Sequence, residues 1–232
     1  MDLLLNTPAL TAYEQMALDE TCALAHAGGF WLRFYRWADK EAVTFGYAQP
    51  RRSVLRQAAA AAGVGGPAVR RPTGGGMVLH RGDLTFSCIL QSEQPPAALY
   101  ARLHGAIRAE LAFLAPVKVW GKTAPQAYLP APHGQAGACF LNPVENDLLA
   151  ADGHKILGGA IRRFGKTVLY QGSLQIPGAR ENSALKKAVI TAVRREFAAH
   201  FAPRAVGADV LAQAKKLAQT RYQSEDWNGK FE

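Results

Sequence analysis

A chain of 232 residues, 49% of them apolar, is long enough to bury one sizeable core and is expected to form a single domain over 1–232. Its three cysteines, Cys22, Cys88 and Cys139, are scattered without a Cys-x-x-Cys pair, which argues against a disulfide scaffold or a structural zinc site. The formal charge of +9 favours an acidic partner, but the basic residues fall in dispersed pairs such as Arg51-Arg52 and Lys186-Lys187 without an aromatic platform, so nucleic acid is disfavoured.

The first residues, Met1-Asp2-Leu3-Leu4-Leu5-Asn6, carry no basic leader, and no apolar run approaches the roughly 18 residues of a membrane span. A cytoplasmic protein without a membrane partner is expected. Tyr13 to Ala27 reads as a helix closed by Gly28-Gly29, followed by strands over Phe30–Trp37 and Ala42–Tyr47. The alanine-rich Arg52–Ala62 predicts a short helix. An extended Ala68–Arg71, a glycine turn, and strands around Met77–His80 and Leu84–Leu90 come next. After Pro95-Pro96, Leu99, Leu103, Ile107 and Leu111 recur every fourth residue, the stripe of a core-facing helix. Gly121–Gly137, with three prolines and three glycines, reads as a long functional loop. Asp147–Ala151 and Lys155–Ile161 form an expected hairpin about Asp152-Gly153, then a strand through Thr167–Ile176, helices over Glu181–Ala199 and Ala208–Arg221, and a polar tail. Adjoining strands interspersed with helices predict an α/β (α+β) fold, a mixed, mainly antiparallel sheet flanked by helices.

Two segments carry the chemistry. In Arg70-Arg71-Pro72-Thr73-Gly74-Gly75-Gly76-Met77-Val78-Leu79-His80, three successive glycines bare the backbone beside two arginines. In Gly153-His154-Lys155-Ile156-Leu157-Gly158-Gly159-Ala160-Ile161-Arg162, a lysine precedes small residues against which a substrate can lie. Together they suggest one pocket for a carbonyl or phosphate group. Two Gly-Lys-Thr triplets, at 121–123 and 165–167, are decoys, because a phosphate loop needs glycine where Pro116 and Ala160 stand.

These segments, with Leu169-Tyr170-Gln171-Gly172-Ser173-Leu174, Gln15-Met16-Ala17-Leu18-Asp19-Glu20, Leu32-Arg33-Phe34-Tyr35-Arg36-Trp37 and Gly46-Tyr47, resemble the lipoate-protein ligase and octanoyltransferase family, related to biotin protein ligases. The resemblance runs from about Met16 to Trp227. It implies the biotin/lipoate protein ligase-like fold, with Lys155 at the reacting acyl carbonyl or acyl-adenylate phosphate. A fixed ammonium in a dry pocket stabilises oxygen that gains negative charge in the transition state. Arg70, Arg71, Thr73, Gly74, Gly75, Gly76, His80, Gly158, Gly159, Ala160 and Arg162 are then candidate substrate-binding residues.

The family holds two chemistries. Cys139-Phe140-Leu141-Asn142-Pro143 resembles the segment of a transferase branch whose cysteine is the nucleophile, and a cysteine beside a lysine cation suits that role. The expected reaction then moves an octanoyl or lipoyl group from acyl carrier protein, through Cys139, to a lysine of a lipoyl-domain protein, without metal or other cofactor. Asn146-Asp147 resembles instead the pair by which ligases hold adenylate and Mg²⁺, which implies ATP and Mg²⁺ with Asp147 as the ligand. A non-catalytic basic binding module is the third reading. Two departures stand out: the family usually has aspartate directly after the histidine, where this chain has Arg81-Gly82-Asp83, and the cysteine branch tends to have serine at the position of Gly159. No accessory domain is expected beyond the two last helices, which favours a transferase, or a ligase working with a separate partner.

Overall fold

The computed structural model describes residues 1–60, 65–114, 117–119 and 143–231. Cys139 and the Gly121–Gly137 loop lie outside them. The elements run β1 (Leu3–Asn6), α1 (Ala12–Ala25), β2 (Phe30–Phe34), β3 (Ala42–Phe45), α2 (Arg51–Ala60), β4 (Ala68–Arg70), β5 (Val78–His80), β6 (Leu84–Gln91) and α3 (Pro96–Leu111). Then follow β7 (Val117–Val119), β8 (Leu148–Ala150), β9 (Lys155–Phe164), β10 (Thr167–Leu174), α4 (Ser183–Phe197), β11 (Ala202–Ala205), α5 (Ala208–Leu217) and α6 (Glu225–Asn228).

Eight strands form one mixed sheet in the order β11-β1-β2-β6-β10-β9-β8-β7, and β4-β3-β5 form a second, small one. At the centre, β10 pairs antiparallel with β6 from Thr167↔Gln91 to Leu174↔Leu84, and with β9 from Thr167↔Phe164 to Leu174↔Leu157. Gly165, at φ +61°, turns β9 into β10, so the second Gly-Lys-Thr triplet is a hairpin turn. Among the described residues, the parallel pairings of the large sheet are those of β1 with β2 and β11.

Alternation along β6 and β10 divides the molecule. Leu84, Phe86, Cys88 and Leu90 join Val168, Tyr170 and Leu174 in a core shared with α3 and α4. The opposite face carries Thr85, Ser87, Gln171 and Ser173, all buried. Helix α1 lies on this second side, packed with α5. It starts with a capping box in which Glu14 accepts from the Thr11 N–H at 2.9 Å and Thr11 Oγ1 accepts from the Glu14 N–H.

Because α1 is buried on nearly every side, its polar residues must be satisfied internally. Asp19, wholly buried, accepts from Arg33 Nε at 3.0 Å, Ser87 Oγ at 2.7 Å, Gln171 Nε2 at 2.8 Å and the Tyr35 hydroxyl. A carboxylate offers about four lone-pair sites, and here all have donors. This one residue pins α1 to β2, β6 and β10, beneath the site.

Candidate active site

The glycine turn leaves β4 and enters β5 against the polar face of the large sheet. Arg71 braces it from inside, donating from Nη2 to the carbonyls of Gly74 and Gly76, both at 2.8 Å, and from Nη1 to Thr44 Oγ1 at 2.9 Å. Gly75 adopts φ +85°, which favours glycine. The turn lies so close to the loop after β3 that a Cβ on Gly46 would stand 1.8 Å from the Gly75 carbonyl oxygen. Thr73 donates to Gln171 Oε1 at 2.7 Å, which ties the turn to the Asp19 network.

Arg70 departs from its expected role. Its guanidinium is wholly buried and donates to the carbonyls of Tyr47, Gln49, Trp227 and Asn228, the last two in the segment read from sequence as a polar tail. It clamps that segment and does not line the cavity. Arg162 likewise braces the turn, donating to the Pro72 carbonyl at 2.9 Å with its guanidinium 5.2 Å from the Tyr47 ring.

Beside the turn is a small cavity that opens to solvent. Gly158, Gly159 and Ala160 of β9 and Gln171, Gly172 and Ser173 of β10 line it, with Met16 of α1 and Tyr35. Thr44, Arg71, Val78 and His80 complete it from the glycine turn and the small sheet. The two sequence segments therefore do meet at one cavity. The bare backbone of Gly158 has a specific use: a Cβ there would stand 2.3 Å from Lys155 Cε and 2.6 Å from Nζ, so the lysine folds back over the glycine toward the cavity wall.

Lys155 is buried, and its Nζ lies 2.7 Å from Asp147 Oδ2. Asp147 also accepts from the Val144 N–H at 2.6 Å and from the Tyr100 hydroxyl at 2.5 Å on Oδ1. Burial pushes its carboxyl above the ordinary carboxylate range, against the opposing pull of Lys155. Asp147, expected as a Mg²⁺ ligand in the ligase reading, here holds the Lys155 ammonium and the Val144 N–H on Oδ2 and the Tyr100 hydroxyl on Oδ1. Asn146, in the left-handed region at φ 72°, aims its carbonyl at His104 Nδ1, 2.9 Å away, so the structure uses it as a turn residue. Among the described residues no group of three or more His, Cys, Asp or Glu is placed to hold a metal ion.

Gly159 cannot be the serine of the cysteine branch. A Cβ there would fall 2.4 Å from the Tyr170 hydroxyl, and the tyrosine ring is fixed in the core.

His80 closes the cavity from β5. Its Nδ1 lies 2.8 Å from Asp83 Oδ2, its Nε2 2.8 Å from Thr44 Oγ1, and its ring packs tilted against Trp37 with centroids 4.6 Å apart. The aspartate three residues on thus serves the histidine although it is not adjacent in sequence. Burial pushes the Asp83 carboxyl up, but His80 and the hydroxyls of Ser173 and Thr85 outweigh it and bring the pKa down to about 2 from 3.8. A depressed acid adds stability that is complete above its unfolded pKa and lost as pH falls through the folded one, here between about 4 and about 2. The difference corresponds to roughly 2 kcal/mol. Urea unfolding across that window should show an acid-side fall in stability that Asp83→Asn flattens; an unchanged profile in the variant would contradict the assignment.

The fold is that of solved lipoate-protein ligases. A lipoate-protein ligase A bound with ATP superposes with a TM-score of 0.76 at 20% identity, covering 100% of this chain and 99% of that one. A putative lipoate protein ligase from T. acidophilum with bound lipoic acid does so with 0.75, at 20% identity over 99% and 98%. A sequence profile of the lipoyl protein ligase A/B catalytic domain matches residues 11–219, and the chain belongs to that family, which is one of enzymes. Among its relatives is an octanoyltransferase LipM of Moorella thermoacetica, 32% identical over 88% of this chain and 76% of the relative. Another, from Symbiobacterium thermophilum, is 33% identical over 74% of this chain, and the match spans 64% of that relative, just under two thirds.

Proposed function

We propose that this protein is an acyltransferase of protein lipoylation, which takes an octanoyl or lipoyl group from a carrier-protein thioester onto Cys139 and passes it to the ε-amino group of a lysine on a lipoyl domain. The observation that carries the reading is the pairing of a buried, anchored Lys155 with an apolar-walled cavity, in a chain with octanoyltransferases among its relatives. The Cys139 thiolate attacks the thioester carbonyl, the carbonyl oxygen takes up the negative charge beside Lys155, and collapse of the adduct breaks the C–S bond and expels the carrier thiolate, which takes a proton from water. The neutral acceptor amine then attacks the acyl-cysteine, loses a proton, and releases the thiolate. The +9 charge suits two acidic protein partners, acyl carrier protein and the lipoyl domain.

The ATP-dependent ligase reading draws support from the ATP-bound structural neighbour, which at 20% identity speaks for the fold. The octanoyltransferase relatives weigh against it. The test is transfer from octanoyl carrier protein to a lipoyl domain, followed by mass spectrometry of the acceptor without nucleotide. Octanoylation without ATP is the expected result; modification that requires ATP and free acid would favour the ligase.

A further inference from the structure

Helix α3 presents Leu99, Leu103, Ile107 and Leu111 to the core, and this stripe accounts for its packing. It leaves two polar residues one turn apart, Tyr100 and His104, pointed at the strand edge that carries Lys155. The Tyr100 hydroxyl donates to Asp147 Oδ1 at 2.5 Å and accepts from the Gly159 N–H at 3.0 Å. It therefore joins the carboxylate that grips Lys155 to the backbone of the cavity wall, because Gly159 lines the cavity and Asp147 holds Nζ through its other oxygen.

His104 seats this tyrosine. The two rings stack with centroids 3.9 Å apart and an interplanar angle of 29°. Burial lowers the pKa of His104 to about 3, so the imidazole is neutral. Nδ1 faces a carbonyl, that of Asn146, and must carry the proton; Nε2 then accepts from the Tyr170 hydroxyl at 2.7 Å. The left-handed turn at Asn146, which sets the position of Asp147, is thus held from α3 as well.

We infer that Tyr100 is a positioning residue for acyl transfer, fixing Lys155 and the Gly158–Gly159 wall at one distance from each other by bridging Asp147 to the Gly159 amide. This rests on the transferase reading for its kinetics. An anchored ammonium helps only if its place relative to the bound carbonyl is held, and a misplacement of about 1 Å can cost on the order of 10²-fold. Lys155 has four rotatable side-chain bonds, and the Asp147 carboxylate that holds it must itself be fixed about the Cβ–Cγ bond. The Val144 N–H on Oδ2 and Tyr100 on Oδ1 supply that restraint from its two ends.

The test is Tyr100→Phe in the full chain, which keeps the ring on His104 and removes the bridging oxygen. We expect kcat for octanoyl transfer to fall about tenfold or more, with KM for the octanoyl carrier within about twofold of wild type. In the protein without substrates, hydrogen exchange at the Gly159 amide should accelerate and labelling of Lys155 by an amine-acylating reagent should quicken. A kcat within about twofold of wild type, or a loss in kcat with exchange and labelling both unchanged, overturns the inference. If the wild-type chain transfers no octanoyl group, the transferase reading fails. Exchange at Gly159 and labelling of Lys155 then decide the bridge alone: acceleration of both in the variant supports it, and no change in either overturns it.

Discussion

Lys155→Met is expected to lower octanoyl transfer by about 10²- to 10³-fold in kcat, the loss found when a main stabiliser of a developing oxyanion is removed. Methionine has nearly the length and shape of the lysine stem, and Gly158 leaves room for it, so the cavity wall should survive the change. KM for the donor should change little, because a charge that matters only as the oxygen becomes anionic contributes to the transition state and not to ground-state binding. Removing one member of a buried ion pair ordinarily costs about 3–5 kcal/mol. The cost here should be smaller, since Asp147 is already raised by burial and can take a proton once its cation is gone. Steady-state kinetics and thermal unfolding of the variant check both halves. A kcat within about threefold of wild type would remove Lys155 from the chemistry.

The second large effect concerns Cys139. Cys139→Ser should cut transfer by about 10³-fold or more, because an unactivated hydroxyl is a far weaker nucleophile than a thiolate. The other two cysteines offer no bypass. Cys22 is 2% exposed, and burial pushes its thiol up to about 12; Cys88 is 1% exposed and is also pushed up by burial. Neither supplies a thiolate at neutral pH, and both sit among core side chains. Retention of more than about a tenth of the activity in Cys139→Ser would contradict a covalent route through that residue.

What the sequence revealed follows from where glycine is needed. The triple glycine and the Gly158-Gly159-Ala160 run stand out because the backbone must pass close to a side chain or to itself, and only a missing Cβ allows it. The order of helices and strands was legible for the same kind of reason: the Leu99 to Leu111 period and the alternation in β6 and β10 are local patterns. The strands β1 and β11 at one end of the large sheet were not anticipated. Four residues of Leu-Leu-Leu-Asn carry no alternation, and Ala-Pro-Arg-Ala contains a proline; β1 is held as a strand by pairing with β2 and β11, and β11 by pairing with β1.

Polar residues that act in the core were harder still. An aspartate on a helix reads as a solvated face, so Asp19 as the hub beneath the cavity carries no local signal. Tyr100 and His104 were hidden by the leucine stripe beside them. Arg70 and Arg71 look alike in sequence, yet one clamps Trp227 and Asn228 while the other braces the glycine turn at the cavity. That difference depends on a segment more than 150 residues away.

The central claim is a covalent acyl group on Cys139. It is tested most directly by incubating the protein with octanoyl carrier protein, without ATP or acceptor, and locating any added mass by peptide mass spectrometry. The account predicts one octanoyl group on the peptide containing Cys139, removable by hydroxylamine and lost in Cys139→Ser. No adduct, or an adduct that persists in that variant, would contradict it.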